Sequence, residues 1–536
     1  MRKKARRRLL KNGRPSGAGA KVRRMQHHRL DSDPVDAATI VAWARSTDHF
    51  SFSQAALDRL AADRKVVEGY AASGDPVYGL NTGLGGNLAY RLDSAEVLAF
   101  QTQVVQGRMI GMGEPLPQEV VRAAMLARCI SLAKGGSGVS VAAAQGLLAL
   151  LDVGVTPVVP MLGSISAGDL GLCAHMVAPL IGLGEAFYQG QRYTGAEALA
   201  VAGLAPVALQ AKDGLGLINA SPLTAGYAAV VAENLSETLL IAASIAALSD
   251  EGYAANLTVF DPRIAAARPA AGQQTTAGLF RALLAGSSLH DHKPRSIQDA
   301  ISFRTMAQVF GTAYAAHASL LAAVETEING NSDSPIVFAA DGDMLSSPNF
   351  HPTMIALAFD SMAIAVAHLA SASVQRVIKL QTPHLSALPK YLSPIGGASV
   401  GFNALQKTAA AIHAEIRLKA APASLDAIVV SDTVEDHATQ AILCVRKLGE
   451  QLQLYRHLLA IEAMVAAQAV DLRQPKALGA GTQLVFDAVR SVVVSLQQDR
   501  PPGPDAMAIG AALFGPALYS ALRRFEVGDS APHTPT

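Results

Sequence analysis

The sequence is short of charge. Only 16% of its 536 residues are Asp, Glu, Lys or Arg, and 44 basic side chains nearly cancel 43 acidic ones. Such a balance provides no bulk field to draw nucleic acid or an acidic partner. Aromatics make up 5%, with a single tryptophan. The three cysteines, Cys129, Cys173 and Cys444, are scattered without CxxC spacing. That argues against a disulfide framework and structural zinc, no metal is expected, and a reducing cytoplasmic compartment is the expectation. A clean membrane span is also missing. The most apolar stretch, "TMIALAFDSMAIAVAHLASASV" (353–374), contains Asp360 and His368 and reads as a buried helix, so no membrane partner is expected. No internal repeat of 20–50 residues is visible.

The exception to the charge balance is the start, "MRKKARRRLLKNGRPSGAGAKVRRMQHHRL". It has no apolar core and is not a secretory signal. Residues 1–35 read as a disordered basic extension, and Met25 offers a second start. Nucleic-acid binding would rest on this arm alone and is not expected.

What is present is aliphatic. Half of the residues are hydrophobic and Ala dominates, a composition that suits long, closely packed helices. So little charge in a long chain also hints at buried subunit surfaces. Helical patterns cover 36–75, 95–150, 205–325, 353–380 and 400–420. A helical pair is expected over 434–470, and one or two short helices near the end. The segment 335–345 resembles a small hairpin. The expectation is an all-α protein built on a bundle of long helices. Its parts would be the extension, an N-terminal domain over 36–220, a bundle with C-terminal helices over 221–515, and a tail over 516–536.

Two loops draw attention. "YGLNTGLGG" (78–86) is glycine-rich but matches neither dinucleotide nor nucleotide phosphate loops. It offers Tyr78 ahead of a segment that can close over a site, with the phenol as acid or base. "PMLGSISAGDLGLCAHM" (160–176) is a Gly- and Ser-rich turn that leads into an apolar segment.

The first of these loops is followed in order by "LARCISLAKGGSGV", "KDGLGLINAS", "QDAISFRTMAQVFG", "EINGNSDSP", "NFH", "FNALQKTAA" and "APASLDAIVVSDTVEDH". Together they resemble the aromatic amino-acid ammonia-lyase and aminomutase family, and histidine ammonia-lyases most closely, over roughly residues 40–510. The resemblance implies an all-α, cytoplasmic homotetramer whose active sites combine loops from three subunits. It also implies an electrophilic methylidene-imidazolone (MIO), formed when an Ala-Ser-Gly tripeptide cyclises and its serine loses water.

Here the corresponding turn reads Gly163-Ser164-Ile165-Ser166-Ala167-Gly168-Asp169-Leu170. No Ser or Cys precedes Gly168, and alanine has no hydroxyl to eliminate. The expectation is a degenerate loop of Ser166, Ala167 and Gly168, with no MIO and no other cofactor. Gly136-Ser137-Gly138 is the nearest other Ser-Gly, but it matches a different family motif, expected on a helix.

Other family positions are kept. By resemblance, Tyr78 is the catalytic base and Asn219 meets the substrate's amino-acid moiety. Arg304 pairs with its carboxylate, for which a planar guanidinium suits a bidentate contact, and Gln308 lies nearby. Phe350 is the aromatic beside the prosthetic group, and Glu435 the acid near the imidazole. Several positions depart. Gly107-Arg108 replaces a Ser-His pair that reads the ring, Ile301 replaces a tyrosine, Ser334-Pro335 replaces Asn-Pro, Val434 replaces a glutamine, and Pro348 interrupts a glycine run. An arginine facing the ring side favours a second anionic group on the ligand, unless Arg108 simply pairs with Glu435.

The expected function is a carbon–nitrogen lyase-like enzyme that acts on an amino-acid or carboxylate-bearing small molecule by MIO-independent acid–base chemistry through Tyr78. The alternatives are a conventional ammonia-lyase with atypical cofactor formation, and an inactive binding or scaffold homologue.

Overall fold

A computed structural model of the chain describes residues 25–73, 76–83, 89–92, 94–425 and 428–526. Its centre is the 32-residue helix Pro222–Tyr253. Pro222 occupies the first turn, where its missing N–H leaves no bond unmade. The helix is small or apolar on every side, as expected of one surrounded by others. It packs against Ala441–Arg473, Gln118–Lys134 and Met306–Asn329, and Thr353–Leu380 completes the bundle against Ala441–Arg473 and Met306–Asn329. The described strands are short and form only two- and three-stranded sheets, so the all-α expectation holds. The expected hairpin is present, Ile336–Phe338 against Asp343–Leu345.

The small residues set the helix spacing. A Cβ on Gly226 would lie 2.3 Å from the backbone nitrogen of Ala124, so the central helix and Gln118–Lys134 touch backbone to backbone. Gly226→Ala is expected to cost about 1–3 kcal/mol through overpacking, read as a lower denaturation midpoint. Gly503→Ala, where a Cβ meets nothing within 4 Å, should leave the midpoint unchanged or raise it.

Thr353–Leu380 and the stretch Asp213–Tyr253 are long and apolar enough to cross a membrane by length and composition. In the second, 78% of the apolar window is buried within the chain, and in the first 50%. Core packing therefore accounts for the first-mentioned helix only in part: Asp360 on it is buried against Lys447, while Met354, Leu357 and Ile364 remain exposed.

Three expectations need correction. The segment 434–470 is not a helical pair: a turn with a Val430–Glu435 bridge leads into one 33-residue helix, Ala441–Arg473, which contains no proline to break it. The extension does not run to residue 35. His27–Leu30 pairs in parallel with His49–Phe52, and Leu30 is buried; residues 1–24 lie outside the described part. Gly136-Ser137-Gly138 is not helical. It follows the helix Gln118–Lys134 in a loop where Gly136 and Gly138 have φ of +88° and +69°. At the other end, Pro502–Leu513 and Pro516–Leu522 are helices and Leu518 and Leu522 are buried, so the expected tail is folded at least to 526.

Candidate active site

The turn 163–169 lies between the strand Pro160–Leu162 and the helix Leu170–Val177. It needs positive φ at Gly163 (+133°), Ser166 (+61°) and Gly168 (+70°). Glycine takes this region freely; serine does so at a cost and persists only when its surroundings hold it. Ser166 is held. It is fully buried, and its Oγ accepts from the Ile442 N–H at 3.0 Å. Its carbonyl accepts from Thr439 Oγ at 3.2 Å, and its own N–H donates to Ser164 Oγ at 3.0 Å. The Gly168 N–H donates to the Phe350 carbonyl at 2.9 Å.

Asp169 anchors the end of the turn. It is fully buried and accepts from the Thr224 N–H at 2.7 Å and Thr224 Oγ at 2.9 Å, at the N-terminus of the central helix, where a negative charge is favoured. Ser164 Oγ adds a bond at 3.2 Å. Burial nevertheless pushes its carboxyl up to about 6 against these bonds. Nearby, burial pushes Glu327 up to about 7, with the charge of Asp169 adding to the effect.

Asn219 is buried and donates from Nδ2 to the Ser334 carbonyl at 2.8 Å. Its Oδ1 lies 3.3 Å from where a Gly168 Cβ would be. The Ser334 that departs from the family pattern thus still orients this amide. Phe350 reaches the turn through its carbonyl, which also accepts from Ser221 Oγ at 3.0 Å.

Tyr78, Arg108 and Glu435 form a second group. Arg108 is half-buried. Burial lowers its pKa, while the Tyr78 oxygen and the Glu435 carboxylate both favour its charged form. No ion pair within 4.0 Å joins Arg108 to Glu435, so these two do not neutralise each other by direct contact. The two groups are bound together through the segment after Glu435. The Gln440 N–H donates to the Ile165 carbonyl at 3.1 Å, and His437 Nδ1 lies 3.1 Å from His351 Nε2, next to Phe350.

Arg304 and Gln308 lie on separate elements. Arg304 ends the short helix Ile301–Arg304. Among the described residues, no hydrogen bond or ion pair joins either side chain to the other candidates, and the buried Gln308 Oε1 has no partner. Ile301, where the family has a tyrosine, is 60% exposed. Within one chain, then, eight of the ten candidates belong to the turn or to the group around Arg108, whereas no bond joins the expected carboxylate clamp to them. Residues 84–88 of the Tyr78 loop lie outside the described part.

The MIO ring requires a side chain immediately before Gly168 that can leave as water, and Ala167 has none. Ser166 is committed to the 439–442 backbone, and the Gly168 nitrogen that would attack is bonded to Phe350. These residues do not fit the group. No cluster of three or more His, Cys, Asp or Glu that could hold a metal ion occurs among the described residues.

A family model described as aromatic amino acid lyase matches residues 35–491. The chain belongs to this family. Histidine ammonia-lyase of Alkaliphilus oremlandii is 36% identical over 502 residues, covering 93% of this chain and 99% of the relative. That of Treponema denticola is 37% identical over 463 residues, 86% and 91%. Among solved structures, the ergothioneine-degrading enzyme ergothionase of Treponema denticola, in complex with desmethyl-ergothioneine sulfonic acid, superposes with a TM-score of 0.88 at 29% identity, covering 94% of this chain and all of that one. Histidine ammonia-lyase of Trypanosoma cruzi gives 0.86 at 28%, covering 94% and 96%. This aromatic amino acid lyase is therefore a histidine ammonia-lyase-like enzyme that acts on a small molecule.

Some of the site was not singled out from the sequence. Asp169, His351 and His437 lie inside the motifs "GDL", "NFH" and "EDH" that carried the resemblance, so their signal was present. Glu327 had none: only the fold brings it, half-buried, under the influence of the Asp169 charge.

Proposed function

We propose that this lyase works without MIO, on a carboxylate-bearing substrate whose amine is already a quaternary ammonium, with ergothioneine as the leading candidate. The observation that carries the reading is Ala167 at the position where the ring needs a serine, in a chain that retains Tyr78, Asn219, Arg304 and Gln308. An ordinary α-amino group leaves poorly and needs an electrophile to activate it. A trimethylammonium group leaves as neutral trimethylamine and needs none.

In this reading the Tyr78 oxygen takes the β-proton. The C–H electron pair becomes the Cα=Cβ bond, and the C–N pair departs with trimethylamine. Arg304 and Gln308 bind the carboxylate. No bond joins them to the other candidates within one chain, and in this reading other copies in a homotetramer complete each site. Arg108 faces the ring and favours negative charge on it, which the sulfur of a 2-thioimidazole supplies. Glu435 balances Arg108 and reaches the ring nitrogen. The likeness to ergothionase supports this substrate class; the names of the curated relatives favour histidine, converted by a conventional ammonia-lyase.

One experiment separates the two. The purified protein is weighed intact, then incubated with ergothioneine and with histidine while trimethylamine and ammonia are assayed. The expected result is the mass of the plain sequence, trimethylamine from ergothioneine and no ammonia from histidine. A mass lighter by two waters together with ammonia from histidine overturns the proposal. Arg108→His should raise KM for ergothioneine by about 10–100-fold, the scale of a charge-assisted bond. An unchanged substrate preference would remove Arg108 from ligand recognition.

A further inference from the structure

Arg108 sits in a bend, residues 107–111, that no helix or strand holds. Beyond it, Met112–Pro115 pairs antiparallel with Pro160–Leu162, Met112 opposite Leu162. That partner strand runs straight into the turn 163–169, and the helix Leu170–Val177 leaves the turn. His175, in the last turn of that helix, closes the circuit: the Gly111 N–H donates to His175 Nε2 at 3.0 Å. The surfaces around this bond are as close as backbone allows. A Cβ on Gly163 would lie 3.0 Å from Gly111 Cα, and one on Gly171 would lie 2.8 Å from Ile110 Cγ1.

We propose that His175 is a positioning residue for Arg108, a titratable mooring that ties the ligand-facing bend to the turn only while its imidazole is neutral. The inference rests on Arg108 facing the ligand. An N–H can donate to Nε2 only if that nitrogen carries no proton, so the bond fixes the tautomer with the proton on Nδ1. Protonation turns Nε2 into a donor, sets two N–H groups against each other and breaks the mooring. Burial favours the neutral ring. The elements packed on or flanking its helix carry Glu96, Glu114, Asp169 and Asp213, and no hydrogen bond or ion pair within 4.0 Å joins any of them to the imidazole. The sign follows: with the imidazole's pKa lowered in the folded state, the bond is complete at high pH and is lost as pH falls through that value.

The test uses the full-length protein and three forms: wild type, His175→Gln and His175→Phe. Glutamine offers an acceptor oxygen that does not titrate; phenylalanine offers none. Deuterium uptake of the peptide spanning 107–113, corrected for the intrinsic pH dependence of exchange, is followed between about pH 8 and about pH 5, the range in which histidine titrates. Wild type should lose protection as pH falls, His175→Gln should stay protected throughout, and His175→Phe should be unprotected throughout. With ergothioneine as the probe, KM of the wild type should rise about tenfold across the same range, the scale of one lost hydrogen bond. It should stay flat in His175→Gln, with kcat little changed in both. Equal protection in wild type and His175→Phe at high pH, or a pH step that survives in His175→Gln, overturns the proposal. If ergothioneine neither binds nor reacts but the step in uptake still follows His175, the mooring stands and the substrate reading falls.

Discussion

Tyr78→Phe is expected to lower kcat by about 10²–10⁴-fold, the share of a barrier that a positioned acid or base supplies, and to leave KM within a few-fold. Phenylalanine keeps the ring that packs half-buried against the core and removes only the oxygen. In an ammonia-lyase with an electrophile, the amine is activated independently of the base, and two devices share the barrier. On the proposed MIO-independent reading the turn offers no such device, and proton removal by Tyr78 is the one step in which a side chain touches the reacting bonds. Steady-state kinetics with ergothioneine, with trimethylamine as the readout, check this directly. A Tyr78→Phe enzyme within tenfold of wild type would mean that another group takes the β-proton. Glu327, half-buried and pushed up to about 7 by desolvation with the charge of Asp169 adding to it, would be the first to replace.

The contrast between these two residues shows what a sequence reveals and what it hides. Tyr78 stands out in the sequence because the role proposed for it needs a particular residue type in a particular motif. The long helices were legible for a similar reason: Ala-rich stretches with little charge have few alternatives to close helix packing. The single helix Ala441–Arg473 was misread as a pair because polar residues such as Gln451 and Glu462 interrupt its apolar pattern. In the structure these are buried partners, Gln451 donating to the Ala363 and Ile416 carbonyls and Glu462 pairing with Arg376. Periodicity cannot distinguish a buried, satisfied polar group from an exposed one. Glu327 was illegible for the same reason in reverse, since its shift comes from burial and from Asp169, more than 150 positions away in the chain. Arg304 and Gln308 stand out as motif residues, yet no bond joins their side chains to the other candidates within one chain, and the proposed completion of the site by other copies is something no local pattern encodes.

Arg128→Met should be the most damaging substitution away from the reacting atoms, costing about 3–5 kcal/mol, the usual result of stranding one member of a buried ion pair. Arg128 has no exposed surface. It donates from both terminal nitrogens to the two oxygens of Asp333, at 2.8 and 2.9 Å, and also to the Gly216 carbonyl. Methionine fills much of the volume but strips the buried Asp333 carboxylate of its hydrogen-bonded cation, leaving the buried Lys212 ammonium as the cation that still acts on it. Arg128→Met with Asp333→Leu removes both charges and should recover most of the loss, because a buried pair is weakly stabilising as a whole and strongly destabilising when halved. Denaturant midpoints at unchanged m-value measure both effects. If the double variant is no more stable than the single one, the cost lies in packing and in the lost bond to Gly216. The pair also bears on the site. Asp333 fixes the segment whose next residue, Ser334, accepts from Asn219, while Gly216 lies in the helix Asp213–Ile218 that ends at Asn219. Arg128 therefore holds both sides of the Asn219 hydrogen bond. The folded fraction of Arg128→Met should accordingly show a raised KM with little change in kcat, whereas a purely global loss of stability would lower the amount of active enzyme and leave KM where it was.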